Sequence, residues 1–203
     1  DPIVWTNYPE AFQAVPFQKY FWNTIQIVIL STLGTLLTSS LAAFAFARLR
    51  FPGREYLFMI VLSTLMLPTT ITLIPKFIVF RNLGWIDTFL PLIVPYWLGG
   101  SAFYIFLIRQ FFMTIPYDLD EAARIDGASN FRIYWNILIP LSQPVLAAVA
   151  IFSFIHHWND FFEPLVYLQS TDNWTMAIGL QGFKDIYSTS WNLMMAASSR
   201  QRP

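Results

Sequence analysis

Four long apolar runs, separated by short charged stretches, set the plan of the chain. Windows free of charged residues cover Tyr20–Ala47, Tyr56–Pro75, Thr88–Ile108 and Ile133–Asn159. Each reaches the roughly 20 residues that cross a bilayer as a helix, the one open-chain structure that satisfies its own backbone in lipid. A fifth run, Ile186–Ser199, holds 14 residues and precedes Arg200. With no Met at its start, the sequence reads as a fragment, with four complete spans and a partial last span from about residue 191. The expected fold is an all-α integral membrane bundle, residues 1–203 forming a single transmembrane domain.

Prolines and small residues refine that plan. In the first window Ser31, Thr35, Ser39, Ala43 and Ala47 recur every four residues, a face on which another helix can approach closely. Leu67-Pro68-Thr69-Thr70 is expected to interrupt the second span, and Pro75 to end it. Pro91 and Pro95 interrupt the third. A proline within the membrane frees a carbonyl that a neighbouring threonine or water can satisfy. Broken helices of this kind line pathways or serve structure alone, and both readings stand.

Between the third and fourth windows, at about residues 115–139, lies a polar island carrying charges of both signs. Asp118 can N-cap a helix, with Glu121 reaching back as in a capping box. Asp120 and Arg124 form an i,i+4 pair, while Leu119, Ala122 and Ala123 make a narrow small-residue face. Gly127 supplies a left-handed turn that ends the helix. Ser129 can cap a second helix, whose Phe131, Tyr134, Trp135 and Leu138 fall at helical spacing. Pro140 predicts a break near Ile139. The result is a helix–glycine–helix knuckle, which by physics alone could be an amphipathic loop that covers itself.

Composition agrees with a membrane protein: 56% of residues are hydrophobic and 12% charged. Twelve basic and twelve acidic residues cancel, which gives no electrostatic case for nucleic acid. Cysteine is absent, excluding disulfides and thiolate metal sites. Arg48, Arg50, Arg54, Arg109, Arg124 and Arg132 gather on the knuckle's side, against Lys19, Lys76, Arg81 and Lys184 opposite. The positive-inside rule then puts the knuckle in the cytoplasm. The Lys76–Asp87 and Gln169–Asp185 loops face outward.

Candidate chemistry is sparse. No phosphate-binding loop, serine-nucleophile motif or zinc-binding helix motif occurs. His156 and His157 point about 100° apart on a helix, so one metal cannot take both from one face. A pathway lining or interfacial position suits them better. Asp160 and Glu163 share a helical face at the outer membrane edge, where hydration accounts for them. No catalytic residue, cofactor or metal is expected.

The knuckle carries a family signature. Glu121-Ala122-Ala123, three residues, Gly127, nine residues, then Ile137-x-x-Pro140 resembles the EAA loop of permease subunits of ABC-type importers, with Ile139 where leucine is usual. Ala123-Arg124-Ile125-Asp126-Gly127-Ala128-Ser129 is similar to the form found in carbohydrate importers of the maltose and oligosaccharide type. Met66-Leu67-Pro68 through Ile74-Pro75, Leu83-Gly84-Trp85-Ile86-Asp87-Thr88 and Trp158-Asn159-x-Phe161-x-x-Pro164-Leu165 resemble the same family. The likeness runs from Asn23 to about Ala197.

This resemblance implies a permease bundle working in a binding-protein-dependent sugar importer. Glu121, Ala122, Ala123, Asp126, Gly127, Ala128 and Ser129 would dock on a cytoplasmic ATPase. Thr69, Thr70, Tyr96, Trp97, His156 and Asn159 are candidates for lining the pathway. Implied partners are a second permease subunit, cytoplasmic ATP-binding subunits, an extracytoplasmic sugar-binding protein, membrane lipid and a carbohydrate substrate. The setting is a bacterial or archaeal plasma membrane, and ATP hydrolysis belongs to a partner. The alternative is a secondary, ion-coupled transporter. It would require ionisable residues within the spans, and the four windows offer only the two histidines.

Overall fold

A computed structural model of the protein describes residues 16–186, and among these no strand occurs. The expected partial last span from about residue 191 lies outside the described residues. The first span is one unbroken helix, α1 (Phe17–Arg48). It stops before Phe51-Pro52-Gly53, where proline disfavours helical geometry in the residue ahead of it.

The second span breaks where Pro68 predicts, and Pro75 does not end it. Arg54–Met66, built from α2 (Arg54–Ser63) and a 3₁₀ turn, is bent by 103° from Thr70–Asn82. Helix α3 (Thr69–Asn82) runs through Pro75 and carries Lys76 and Arg81 on helix rather than loop. The two prolines differ in the residue before them. Leu67 is extended, with ψ 116°, while Ile74 remains helical.

In the third span, by contrast, the prolines are not the break. Pro91 sits in the first turn of α4 (Leu90–Leu98), where a missing N–H costs nothing. The helix opens instead at Gly99-Gly100-Ser101 and resumes as α5 (Ala102–Thr114). Leu90–Thr114 as a whole is long and apolar enough to cross a membrane.

The fourth span also corrects its expected break. Ile139 is helical, with φ −60° and ψ −50°. Ahead of it Tyr134–Leu138 winds as a π-helix, the wide turn that often marks a bulge within an α-helix. The chain turns only at Ser142, between Asn130–Leu141 and Gln143–Asn159, which are bent by 78°.

The described residues fall into two compact units. One gathers residues of Leu30–Lys76 and Ile93–Ile155. Its core is Ala43, Phe44, Ile108, Phe112, Ile115, Ile133, Tyr134, Leu138, Val145 and Val149. The small-residue face of α1 behaves as its spacing predicts: Ser31, Thr35, Ser39 and Ala43 are fully buried. The broken third span rests on this face. Thr38 Oγ1 donates to Tyr96 O at 2.9 Å, and Ser39 Oγ accepts from Ser101 N at 3.4 Å. Hydroxyls of one helix thus pair backbone groups that the break in another sets free.

Among the described residues, the other unit gathers 16–29, 77–92 and 156–186. Here the chain after Tyr167 is clasped from two directions. Asn23 Nδ2 donates to Asp172 O at 2.9 Å and Trp174 O at 3.0 Å, and Thr24 Oγ1 accepts from Met176 N at 2.9 Å. Lys19 pairs with Asp172 at 2.8 Å. From the other direction Asp87 accepts from Gln169 N at 3.0 Å and Ser170 N at 2.8 Å, and also from the Ser170 hydroxyl. Asp87 holds φ +63°, a left-handed geometry that aspartate tolerates better than most residues.

Asp87 gives this unit an acid-sensitive joint. The Ser170 hydroxyl first, then its amide, hold the carboxyl down to about 2, against a burial effect in the other direction. A carboxyl ordinarily titrates near about 4. Its stabilising contribution is therefore complete above that value and is lost as pH falls towards 2. The expected outcome is that Asp87→Asn lowers the unfolding temperature at neutral pH, and that its difference from the parent closes as pH drops. A constant difference in a thermal-shift series from pH 7 to 2.5 would exclude this role.

Candidate functional site

The knuckle is built by local rules at its centre and by distant contacts at its ends. Helix α6 (Asp118–Ile125) has Asp118, Asp120 and Glu121 in its first turn, where the helix dipole favours negative charge. The capping box does not form: Asp118 already has helical geometry and no side chain caps this end. The other end follows expectation. Gly127 has φ +79°, its N–H reaches Arg124 O at 3.0 Å, and Ala128 N reaches Ala123 O at 2.9 Å. These two bonds are the Schellman arrangement. Ser129 Oγ then accepts from Arg132 N at 3.3 Å, capping α7 (Asn130–Ile133) as predicted.

Two sequence expectations fail at the knuckle's inner side. Asp120 is 0% exposed, and its nearest cation is Arg48, at 3.4 Å between Nε and Oδ2. Arg124, its expected i,i+4 partner, instead donates to Asn130 Oδ1 at 3.1 Å. Burial raises the Asp120 carboxyl pKa, and the attraction of Arg48, then of Arg124, opposes that rise. The small-residue face is also divided. Ala123 and Ala128 are partly buried against the core of this unit, whereas Leu119 and Ala122 face outward.

The following helix splits in the same way. Tyr134 and Leu138 are buried, with the Tyr134 hydroxyl 2.8 Å from Ser40 Oγ. Phe131 is 68% and Trp135 53% exposed, their rings stacked at 6.4 Å. Ile125 is 86% exposed. The outcome is a knuckle fixed on its inner side and presenting apolar side chains outward. Glu121, Asp126, Gly127 and Ser129 share this exposure.

Sequence reading missed the arginines that hold this region. Arg48 Nη2 donates to Ile115 O at 2.8 Å, and its guanidinium lies 5.6 Å from the Tyr117 ring. Arg109, also buried, donates to Phe46 O at 3.3 Å, lies 4.1 Å over the Phe58 ring and pairs with Glu55 at 3.5 Å. Charge counting along the chain assigns both to topology. Their burial shows a second use.

The pathway candidates are divided between the two units. Thr70 is exposed and Tyr96 half-buried; the Thr69 side chain lies outside the described residues. Trp97 is committed to α1: its Nε1 donates to Leu30 O at 2.9 Å and its ring covers Gly34. His156 and Asn159 belong to the other unit and are exposed, while His157 is buried. Asp160 lies beyond α8 (Gln143–Asn159) rather than on it. Its Oδ1 accepts from Phe162 N at 3.1 Å and Glu163 N at 3.3 Å, starting α9 (Phe162–Tyr167). No group of three metal-ligating side chains occurs among the described residues.

The chain is similar to known proteins. The family described as binding-protein-dependent transport system inner membrane component matches residues 34–198. A probable ABC transporter permease protein of Pyrococcus horikoshii is 37% identical over 183 residues, covering 90% of this chain and 66% of that protein. An sn-glycerol-3-phosphate transport system permease protein of Escherichia coli is 39% identical over 196 residues, covering 96% and 69%. The chain thus spans about two thirds of the length of the curated relatives it matches. The crystal structure of a bacterial ABC transporter involved in the import of the acidic polysaccharide alginate superposes with TM-score 0.82 at 27% identity, covering 98% of this chain and 69% of that one. The glycine-ended knuckle, the apolar spans and these matches lead to one conclusion: the chain belongs to the family of inner-membrane components of binding-protein-dependent transport systems.

Proposed function

We propose that the protein is a permease subunit of an ATP-driven, binding-protein-dependent sugar importer, and that its knuckle docks on a cytoplasmic ATPase. The observation that carries this reading is the outward set of Ile125, Phe131 and Trp135 on a loop whose inner side is fixed. Ile125 and Phe131 lie outside the charge-free windows, and exposed apolar side chains off the spans mark an interaction surface. Glu121, Ala122, Ala123, Asp126, Gly127, Ala128 and Ser129 shape that surface. A second permease subunit, two ATPase subunits and an extracytoplasmic binding protein complete the assembly, in a bacterial or archaeal plasma membrane. Thr69, Thr70, Tyr96, Trp97, His156 and Asn159 remain candidates for the pathway. An ion-coupled transporter is not favoured, since the relatives and the superposed structure belong to ABC systems.

The test is reconstitution of the full-length protein with these partners in proteoliposomes. ATP-dependent uptake of a carbohydrate is the expected result. Because relatives act in glycerol 3-phosphate transport and alginate import, both acidic cargoes belong in the panel. Uptake driven by an ion gradient without ATP would reverse the assignment.

Sidedness has its own check. A cysteine at Ser129 should be shielded from an impermeant thiol reagent in intact cells, and one at Thr171 should be labelled. Labelling of Ser129→Cys from outside would invert the topology.

A further inference from the structure

The buried pair Arg48–Asp120 has no part in the docking surface. Arg48 ends α1, and Asp120 lies in the first turn of α6. Both are almost wholly buried, Arg48 at 5% and Asp120 at 0% exposure. Neither carboxylate oxygen of Asp120 has a hydrogen-bond partner among the described residues. A surface loop held only to cover itself has no need of a buried charge, which is costly unless paired. Arg48 meanwhile grips Ile115 O at 2.8 Å, where α5 ends and the knuckle begins. One guanidinium therefore joins the end of the first span, the exit of the third span and the knuckle's first helix. The hydrogen bond to Ile115 O is directional and the ion pair to Asp120 is buried, so together they resist sliding more than the alanine contacts beside them do.

We infer that Arg48 and Asp120 are positioning residues that tie the knuckle to the first span, so that movement of the knuckle is passed into the bundle. This inference rests on the coupling reading above. It predicts that breaking the tie leaves the ATPase bound and active but separates hydrolysis from transport.

The experiment uses full-length protein in the reconstituted importer, with Arg48→Lys, Arg48→Met, Asp120→Leu and the double Arg48→Met/Asp120→Leu. Uptake per ATP hydrolysed is measured beside copurification of the ATPase. Each apolar single change should lower that ratio about tenfold, within the usual range for coupling between sites. The double change should be no worse than Arg48→Met alone, because that single has already removed the Arg48–Asp120 contact. Arg48→Lys retains charge but lacks the planar fork that serves two partners. It should fold, keep the ATPase and fall between parent and Arg48→Met. An unchanged ratio, additive losses, or loss of the ATPase from Arg48→Lys would each overturn the tie. Normal uptake by Gly127→Val would instead remove the coupling reading beneath it.

Discussion

Gly100→Val is expected to abolish accumulation of folded protein. Gly100 has φ +60°, and a Cβ there would lie 2.5 Å from Ser39 Oγ, 2.9 Å from Thr38 Oγ1 and 3.2 Å from Ser39 N. The left-handed backbone costs a branched residue about 1–2 kcal/mol, and overpacking adds about 1–3 kcal/mol. Relief cannot come from Ser39 N, which is backbone of a continuous helix. Shifting the third span would also loosen the Thr38–Tyr96 and Ser39–Ser101 bonds. Gly99→Ala is the control, since its Cβ meets nothing within 4 Å. Protein recovered in mild detergent and its unfolding temperature should fall sharply for Gly100→Val and stay near parental values for Gly99→Ala. Equal behaviour of the two would mean that the helices do not meet at Gly100.

Ile125→Asp should remove the ATPase while leaving the permease folded. Ile125 contributes little to its own chain at 86% exposure, and a surface change of this kind costs within about 0.5 kcal/mol. A central apolar anchor in an interface is worth about 2 kcal/mol or more. Binding should weaken roughly thirtyfold by that measure. Gly127→Val reaches the same end by another route. Nothing crowds its Cβ, so the cost is confined to the left-handed backbone, about 1–2 kcal/mol, and to the realigned second helix. Glu121→Ala tests the polar edge, because Glu121 caps nothing and its loss spares the fold. Unfolding temperature, ATPase copurification and sugar uptake should separate these effects. Retained copurification and uptake in all three variants would reduce the knuckle to a connecting loop.

What the sequence discloses follows from how local each cause is. Gly127 and Ser129 are legible because a left-handed turn and a helix cap depend on residues within a few positions. The spans are legible because lipid demands charge-free length. Break positions are less so, since a proline acts through the residue before it: Leu67 became extended and Ile74 did not. Asp120 misleads for a different reason. The i,i+4 rule applies to an exposed helix surface, and here the same carboxylate turns inward to an arginine at the far end of another helix. Asp87 was legible only as part of a family pattern. Its five-way contact with Gln169, Ser170 and Asn173 joins residues that no local rule brings together.

The claim that the knuckle meets the ATPase can be tested without disturbing the fold. A photoactivatable amino acid at Ile125 of the full-length protein, irradiated in membranes holding the assembled importer, should cross-link to the ATP-binding subunit. Irradiation that yields adducts only with lipid or with the permease itself, while ATP-dependent uptake is intact, would contradict the proposal.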